Sequence, residues 1–225
     1  MNRYKSNIGT ITVEESEILS QSKVCVIGCG GLGGYIIEML GRIGVGNITA
    51  VDFDRFEETN LNRQLLSDNF SLGEKKSLMA KLRMEKVNPQ VQVNSVIKYV
   101  DKSNAEEILS GHDLVVDGLD NIPSRLVLEE TCEKLKIPLV HGAIASWYGQ
   151  VTSVFPGDRT LSKVYSKSES KGVEQELGIP SFTPALVASI QVSQVIKILI
   201  GRGDILQNKL LFMDLLNDDY VILDI

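Results

Sequence analysis

A glycine-rich segment offers the clearest chemistry in this sequence. The letters GCGGLGG follow a short apolar run, KVCVI, and precede a segment with helical apolar spacing, YIIEMLGRIG. Because glycines carry no side chains, the backbone N–H groups of this turn and of the following helix can approach a phosphate or a ribose closely. The strand-turn-helix order therefore predicts nucleotide binding, and the alternative is a turn that only packs the helix on the sheet. The candidate nucleotide-binding glycines are Gly28, Gly30, Gly31 and Gly33.

Asp52 is a second candidate contact to the nucleotide. It ends the second predicted strand, within NITAVDF, where an acidic residue of such folds usually accepts hydrogen bonds from ribose hydroxyls. NAD, FAD and ATP all satisfy that geometry, so the glycines and Asp52 leave the nucleotide open. Asp54 suits a turn or a helix cap as well as a functional role, and no role is predicted for it.

Cationic side chains after the second strand favour nucleotidyl transfer over hydride transfer. The polar stretch NLNRQ lies at the rim where doubly wound sheets bind their ligands. Nucleotidyl transfer builds negative charge on the α-phosphate in the transition state, whereas hydride transfer needs no cation beyond one for a 2'-phosphate. Arg63 with Lys76 supplies that charge, although Lys75-Lys76 taken alone is typical of a solvated helix start. The other polar candidates in the stretch are Asn60, Asn62 and Gln64.

The run DGLDN follows the fourth predicted strand on the same rim. Asp120 could hold a Mg²⁺ ion that bridges triphosphate oxygens, while Asn121 touches the base or the ribose. Helix N-capping by either residue explains the run equally well.

Alternating β-rich and helical segments predict how these residues are positioned. After the first strand-turn-helix unit, helix and strand patterns alternate through KKSLMAKLRMEKV, VQVNSVI, NAEEILSG and HDLVVDGLD. A helix from Pro123 then leads to PLVHGAI, and WYGQVTSVF alternates as an antiparallel strand does. The predicted fold is therefore α/β, a Rossmann-like, doubly wound, mostly parallel sheet extended by antiparallel strands at the C-terminal side.

The predicted domain organisation is a single domain over residues 1–225. Residues 1–22 form an N-terminal arm or helix, and residues 157–181 are too long and too polar for an ordinary connector, which predicts a mobile loop. A helix from about Phe182 to Ile200 is apolar on more than one face, which indicates that it is buried or lies in a dimer interface.

Composition narrows the possible functions. The chain has 225 residues, a net charge of -6, 43% hydrophobic residues and 23% charged residues, which is typical of a soluble globular protein without affinity for nucleic acid. No leader and no long apolar stretch is recognisable, so we expect a cytoplasmic protein that does not contact membranes. The cysteines Cys25, Cys29 and Cys132 form no CxxC pair, so no zinc site is expected, and Cys25 and Cys132 are predicted core residues.

The order and spacing of these motifs resemble the ThiF/MoeB/HesA family of activating enzymes. The shared motifs are GCGGLGG, DFD, NLNRQ, a lysine shortly after a glycine, NP and DGLDN. The resemblance implies that the chain binds MgATP and adenylates the C-terminal Gly-Gly carboxylate of a small ubiquitin-like sulfur-carrier protein such as ThiS or MoaD. This reaction releases pyrophosphate and serves thiamin or molybdopterin type biosynthesis.

The resemblance also implies individual roles and a homodimer. Gly31 would approach ATP, and Asp52 would hold the ribose. Asp120 would bind Mg²⁺. The phosphates would be gripped by Asn60, Arg63 and Lys76. Residues 157–181 would be the crossover loop, under which such enzymes thread the flexible tail of the carrier.

The chain departs from the family pattern at its cysteines and at its N-terminus. Residues 150–225 contain no cysteine that could take on sulfur, so a separate protein is expected to donate the sulfur. Ser6 stands where many relatives carry an arginine that reaches the partner subunit, and only Arg3 or Lys5 could replace it. The alternatives to a carrier-activating enzyme are an NAD(P)- or FAD-dependent oxidoreductase, a non-catalytic module that docks a ubiquitin-like protein, and an enzyme that activates another carboxylate.

Overall fold

In the computed structural model, which describes residues 2–165 and 177–225, the β-rich runs form one eight-stranded sheet. The strands are β1 (Lys23–Ile27), β2 (Asn47–Val51), β3 (Gln92–Val96), β4 (Leu114–Asp117), β5 (Leu139–Ala145), β6 (Tyr148–Val154), β7 (Lys209–Asp214) and β8 (Asp219–Asp224). Their order is β3-β2-β1-β4-β5-β6-β7-β8, with β1 to β5 parallel and the others antiparallel. This order confirms the predicted fold class.

Helices cover both faces of the sheet. They are α1 (Val13–Gln21), α2 (Gly31–Ile43), α3 (Lys76–Val87), α4 (Ala105–Leu109), α5 (Ile122–Leu135), α6 (Thr160–Val164) and α7 (Phe182–Ile200). One buried apolar cluster joins the sheet to α1, α2, α3 and α7, and a second joins it to α4, α5 and α6. The N-terminal segment is a 3-10 helix, Asn2–Asn7, followed by α1, whose first turn is capped by Thr12 and Glu15.

The strand register brings the candidate site residues to one edge of the sheet. In the parallel ladders, Ile27 of β1 lies opposite both Val51 of β2 and Asp117 of β4. The segments that follow β1, β2 and β4 therefore lie side by side at this edge. The glycine turn after β1 lies between Asp52, which follows β2, and the DGLDN run, which ends β4. The order of the strands reverses at this point, since β1 continues to β2 on one side and borders β4 on the other, and doubly wound folds bind their ligands there.

The segment predicted as a mobile loop, residues 157–181, is partly helical. The structure places α6 inside it, because the buried Glu129 of α5 accepts hydrogen bonds from the N–H groups of Leu161 and Ser162 at 2.6 and 2.9 Å. The apolar anchor is Leu161, which is fully buried. A helix of this length has too few apolar positions to show a helical period, so the sequence pattern missed it. Residues 166–176 of the predicted loop lie outside the described residues.

The apolar helix α7 spans the predicted residues and belongs to the core. By length and composition alone it could cross a membrane, but half of that stretch is buried within the fold. Its polar residues Gln191 and Gln194 are buried too, and Gln191 Nε2 donates to the carbonyl of Asp117 at 2.8 Å. The helix therefore braces the end of β4 from one face of the sheet.

Candidate functional site

The candidate site is a cleft at the carboxyl ends of β1, β2, β3 and β4. It is lined by the glycine turn, by the residues that follow β2, β3 and β4, and by Arg63, Gln64, Lys76 and Ile179. Most of the residues predicted to bind the nucleotide are among its walls. Gly33, Asn60 and Asn62 are not.

The glycines of the turn divide into two groups. A Cβ atom at Gly28, whose φ is +91°, would lie 2.6 Å from the carbonyl oxygen of Gly118, and one at Gly33 would lie 1.7 Å from that of Gly28. Gly33 therefore allows α2 to pack on the turn, as the alternative interpretation of the glycines proposed. Gly30 and Gly31 face the cleft, and their nearest neighbours would be 3.6 and 3.7 Å from an added Cβ, which leaves backbone open to a ligand.

Asp52 is held in place by the turn that it faces. Its Oδ2 accepts a hydrogen bond from the N–H of Cys29 at 2.7 Å, and its Oδ1 accepts one from the N–H of Asp54 at 2.8 Å. Burial raises the pKa of this carboxyl, while the two backbone donors and Lys76 oppose that rise. The carboxylate is thus fixed at the cleft wall with lone pairs left for a ligand hydroxyl.

Lys76 is buried at the first residue of α3, so it is not a solvated helix start. Its Nζ lies 3.3 Å from Asp54 Oδ2, and Asp54 is itself about half exposed. No role was predicted for Asp54, but the ion pair holds the ammonium group of Lys76 at the wall of the cleft, which both residues line. The spacing of the two residues along the chain carries no signal of this pairing.

The polar side chains of the NLNRQ stretch have different surroundings. Arg63 reaches the cleft, and its Nη1 is held by the carbonyl of Thr59 at 3.0 Å and by Asn62 Oδ1 at 2.9 Å. Asn62 Nδ2 donates to the carbonyl of Ile179 at 3.1 Å, so Asn62 braces Arg63 and the chain beside it. Asn60 is buried and accepts from the N–H of Glu57, which makes it part of the local turn.

Gln64 has a buried side-chain oxygen beside the glycine turn. The residue is buried, lines the cleft, and lies beside Gly30. Its Oε1 has no hydrogen-bond partner among the residues that the structure describes. A buried acceptor without a partner is destabilising, and this oxygen is not accessible from the cleft in the conformation of the structure.

The DGLDN run places one acid at the rim and uses its asparagine as a cap. Asp120 is exposed and lines the cleft. Asn121 also lines the cleft, but its Oδ1 accepts from the N–H of Ser124 at 3.0 Å and so caps the start of α5. The capping alternative is therefore observed for Asn121. No group of three or more His, Cys, Asp or Glu side chains in the described part of the chain is arranged to hold a metal ion.

An aromatic pair that the sequence analysis did not single out closes the far side of the cleft. Phe53 and Tyr99 pack edge to face, with ring centroids 5.1 Å apart and an interplanar angle of 79°. The Tyr99 hydroxyl lies 3.0 Å from Ser124 Oγ. Both aromatic rings follow strands at the same rim, so together they offer an apolar wall for a base.

The cysteines are buried in the fold. Burial raises the pKa of the thiols of Cys25, Cys29 and Cys132 above their ordinary value. A buried thiol with a raised pKa is a poor nucleophile. Cys25 and Cys132 are core residues, as predicted.

Comparison with known proteins places the chain among nucleotide-dependent activating enzymes. The model of the ThiF family matches residues 4–225. The SAMP-activating enzyme E1 of Haloferax volcanii is 35% identical over 219 residues, which cover 95% of this chain and 81% of that protein. The sulfur carrier protein adenylyltransferase of Thermus thermophilus is 36% identical over 220 residues, covering 92% of this chain and 80% of that protein.

A solved structure shares the fold. The E. coli protein MccB, crystallised with AMPCPP and MccA, superposes with a TM-score of 0.86 at 21% sequence identity, over 99% of this chain and 71% of the MccB chain. At this identity the likeness concerns the fold alone. It agrees with a Rossmann-like sheet that carries antiparallel C-terminal strands.

Proposed function

This chain belongs to the ThiF family, and on that premise we propose that it adenylates the C-terminal carboxylate of a small ubiquitin-like sulfur-carrier protein. ATP is the co-substrate, and pyrophosphate is released. The observation that carries the proposal is the meeting of two cations, Arg63 and Lys76, with the glycine turn and Asp120 in one cleft. An oxidoreductase with the same turn would have no use for both cations at this place.

The proposed chemistry is a displacement at the α-phosphorus. The attacking carboxylate is already ionised at neutral pH, so the chain needs no general base. Its task is to hold the two substrates in line and to neutralise charge that develops on the phosphate. Arg63 and Lys76 supply positive charge, Gly30 and Gly31 supply open backbone, and Asp52 accepts from the ribose hydroxyls.

Asp120 is the residue that would hold Mg²⁺. Bound there, the metal would neutralise part of the negative charge of the triphosphate. Asp120 fits this role because it is exposed at the cleft rim, where substrate phosphates and water can complete the coordination. Mg²⁺ at nucleotide sites commonly uses one or two carboxylates together with phosphate oxygens, so a cluster of acids is not required.

Gln64 and the aromatic pair support binding of a nucleoside. Gln64 lines the cleft beside Gly30, and a turn of its side chain would offer the unpaired Oε1 to a ribose hydroxyl or to an adenine amino group. Phe53 and Tyr99 offer the apolar wall on which a purine can pack.

We also propose that the chain acts as a homodimer with a separate sulfur donor. Apolar residues that remain exposed at α7 and the adjoining strand turn, Trp147 at 39% and Phe182 at 43%, contact each other and form an apolar surface that a second subunit can cover. The buried cysteines, with raised pKa values, favour sulfur delivery to the adenylated carrier by another protein.

ATP–pyrophosphate exchange tests the proposed function. Exchange should require Mg²⁺ and a ThiS- or MoaD-like carrier with an intact Gly-Gly terminus, and Arg63→Ala and Asp120→Ala should each abolish it. Arg55→Ala is the matched control, because the Arg55 guanidinium binds the carbonyl of Gly73 outside the cleft. ATP binding without exchange for any carrier would instead support the docking module or another carboxylate substrate.

A further inference from the structure

A chain of buried polar side chains lies behind the turn that carries Asp120. Asp117 and His141 are register partners on the parallel strands β4 and β5, and both are fully buried. His141 Nδ1 lies 2.6 Å from Asp117 Oδ2, and His141 Nε2 lies 2.9 Å from the hydroxyl of Tyr165. Gln150 Nε2 donates to that same hydroxyl oxygen. None of these four residues was predicted from the sequence to have a functional role.

The donors and acceptors in this chain can be assigned. A carboxylate only accepts, so the proton of the His141 ring is on Nδ1, which donates to Asp117. Burial lowers the pKa of His141, although the hydrogen bond to Asp117 opposes this, and the neutral ring therefore has an accepting Nε2. The Tyr165 hydroxyl donates to Nε2 and accepts from Gln150.

The same network holds the backbone of Leu119, the residue before Asp120, by hydrogen bonds. Asp117 Oδ1 accepts from the N–H of Leu119 at 2.8 Å, and Arg125 Nη2 donates to the carbonyl of Leu119 at 2.8 Å. Arg125 Nε lies 3.8 Å from Asp117 Oδ2, and the guanidinium also packs over the ring of Tyr165, with 5.5 Å from its carbon to the ring centroid. Both backbone polar groups of Leu119 are thus held by side chains that His141 and Tyr165 orient.

We propose that His141 and Tyr165 are positioning residues, which act through Asp117 and Arg125 to fix the turn that carries Asp120. The inference rests on the proposed function, in which Asp120 binds Mg²⁺. Neither His141 nor Tyr165 lines the cleft, so their effect on the site is indirect. Outer partners that orient a metal ligand commonly change metal affinity or activity by about 10- to 100-fold when they are removed.

Three substitutions at two positions separate positioning from general damage. Tyr165→Phe removes one hydroxyl and keeps the ring against Arg125. His141→Asn keeps an N–H donor for Asp117 and removes the acceptor for Tyr165, whereas His141→Leu removes both. The matched controls are Tyr220→Phe on the exposed strand β8 and His112→Asn, whose ring contacts Thr49 outside the network.

The readouts are metal binding and metal dependence. We would measure Mn²⁺ binding to the protein–ATP complex by electron paramagnetic resonance, and the Mg²⁺ concentration that gives half-maximal ATP–pyrophosphate exchange. Tyr165→Phe and His141→Asn should weaken Mn²⁺ binding and raise the required Mg²⁺ by about tenfold, His141→Leu should do so more strongly, and the affinity for ATP in EDTA should stay unchanged.

The outcomes that overturn the inference differ from those that overturn the proposed function. Wild-type metal binding in Tyr165→Phe, or equal weakening of ATP binding with and without metal, would overturn the positioning role alone. A wild-type chain that binds no ATP would overturn the proposed function and this inference together.

Discussion

At the scale of single residues, two glycines of one turn serve different purposes, and alanine substitution distinguishes them. Gly33→Ala places a methyl group 1.7 Å from the carbonyl oxygen of Gly28, so the helix must move and we expect a loss of about 3 kcal/mol in the free energy of unfolding. Gly31→Ala meets only ordinary contacts, at 3.7 Å or more, and should keep the stability while weakening ATP binding. Urea denaturation and nucleotide titration of both variants test this, and equal stability losses would contradict it.

His141 should make the stability of the fold depend on pH. Burial holds the pKa of its ring below the ordinary value of about 6.5, so the unfolded chain binds the proton more tightly than the folded chain does. The stabilisation is complete above about pH 6.5 and is lost as the pH falls through 6.5 towards the folded pKa.

Urea denaturation at about pH 7.5 and about pH 5.5 measures this effect. We expect the free energy of unfolding to be lower at about pH 5.5, with His141 contributing up to about 1 kcal/mol of the difference. His141→Asn should remove that part of the pH dependence. The same pH dependence in His141→Asn as in the wild type would show that another group causes it.

At the scale of elements, Glu129 should decide whether α6 stays docked. It accepts from two backbone N–H groups at the start of this helix, and a glutamine keeps only one accepting oxygen and no charge. Glu129→Gln should therefore accelerate amide hydrogen exchange at Leu161 and Ser162 by about tenfold, which corresponds to about 1.4 kcal/mol. Glu133→Gln is the control, because the Glu133–Arg159 pair is more exposed and should matter less. Amide hydrogen exchange at Leu161 and Ser162 that is unchanged in Glu129→Gln would contradict the prediction.

Long elements were predictable from the sequence, and contacts between elements were not. The bounds of β1 and α7 coincide with the predicted runs, because a strand or a long helix is encoded in the spacing of its own apolar residues. The pairing of Asp117 with His141 depends on how β4 aligns with β5, which no local pattern specifies. For the same reason, the sequence did not predict the ion pair between Asp54 and Lys76 or the docking of the helix α6 on Glu129.

At the scale of the whole molecule, the cleft depends on the packing of both faces of the sheet. The glycine turn is held by α2 in one apolar cluster, while the turn that carries Asp120 leads into α5 in the other. Three parallel strands end side by side between these clusters, so the site exists only while β1, β2 and β4 stay paired and both clusters stay packed. A ligand that binds this cleft must therefore oppose unfolding of the entire domain.

This dependence lets thermal unfolding identify the nucleotide. A ligand present at about 100 times its dissociation constant adds about 2.7 kcal/mol to the free energy of unfolding. For a domain of this size, that corresponds to a rise of about 5–10 °C in Tm.

We expect MgATP to raise Tm by this amount, and NADH, NADPH and FAD to leave it unchanged, since the cleft holds Arg63 and Lys76 for a triphosphate. Arg63→Ala should reduce the ATP-dependent shift, whereas Arg55→Ala should retain it. A shift with a dinucleotide and none with ATP would mean that the glycine turn and Asp52 serve an oxidoreductase, and that the two cations have another purpose.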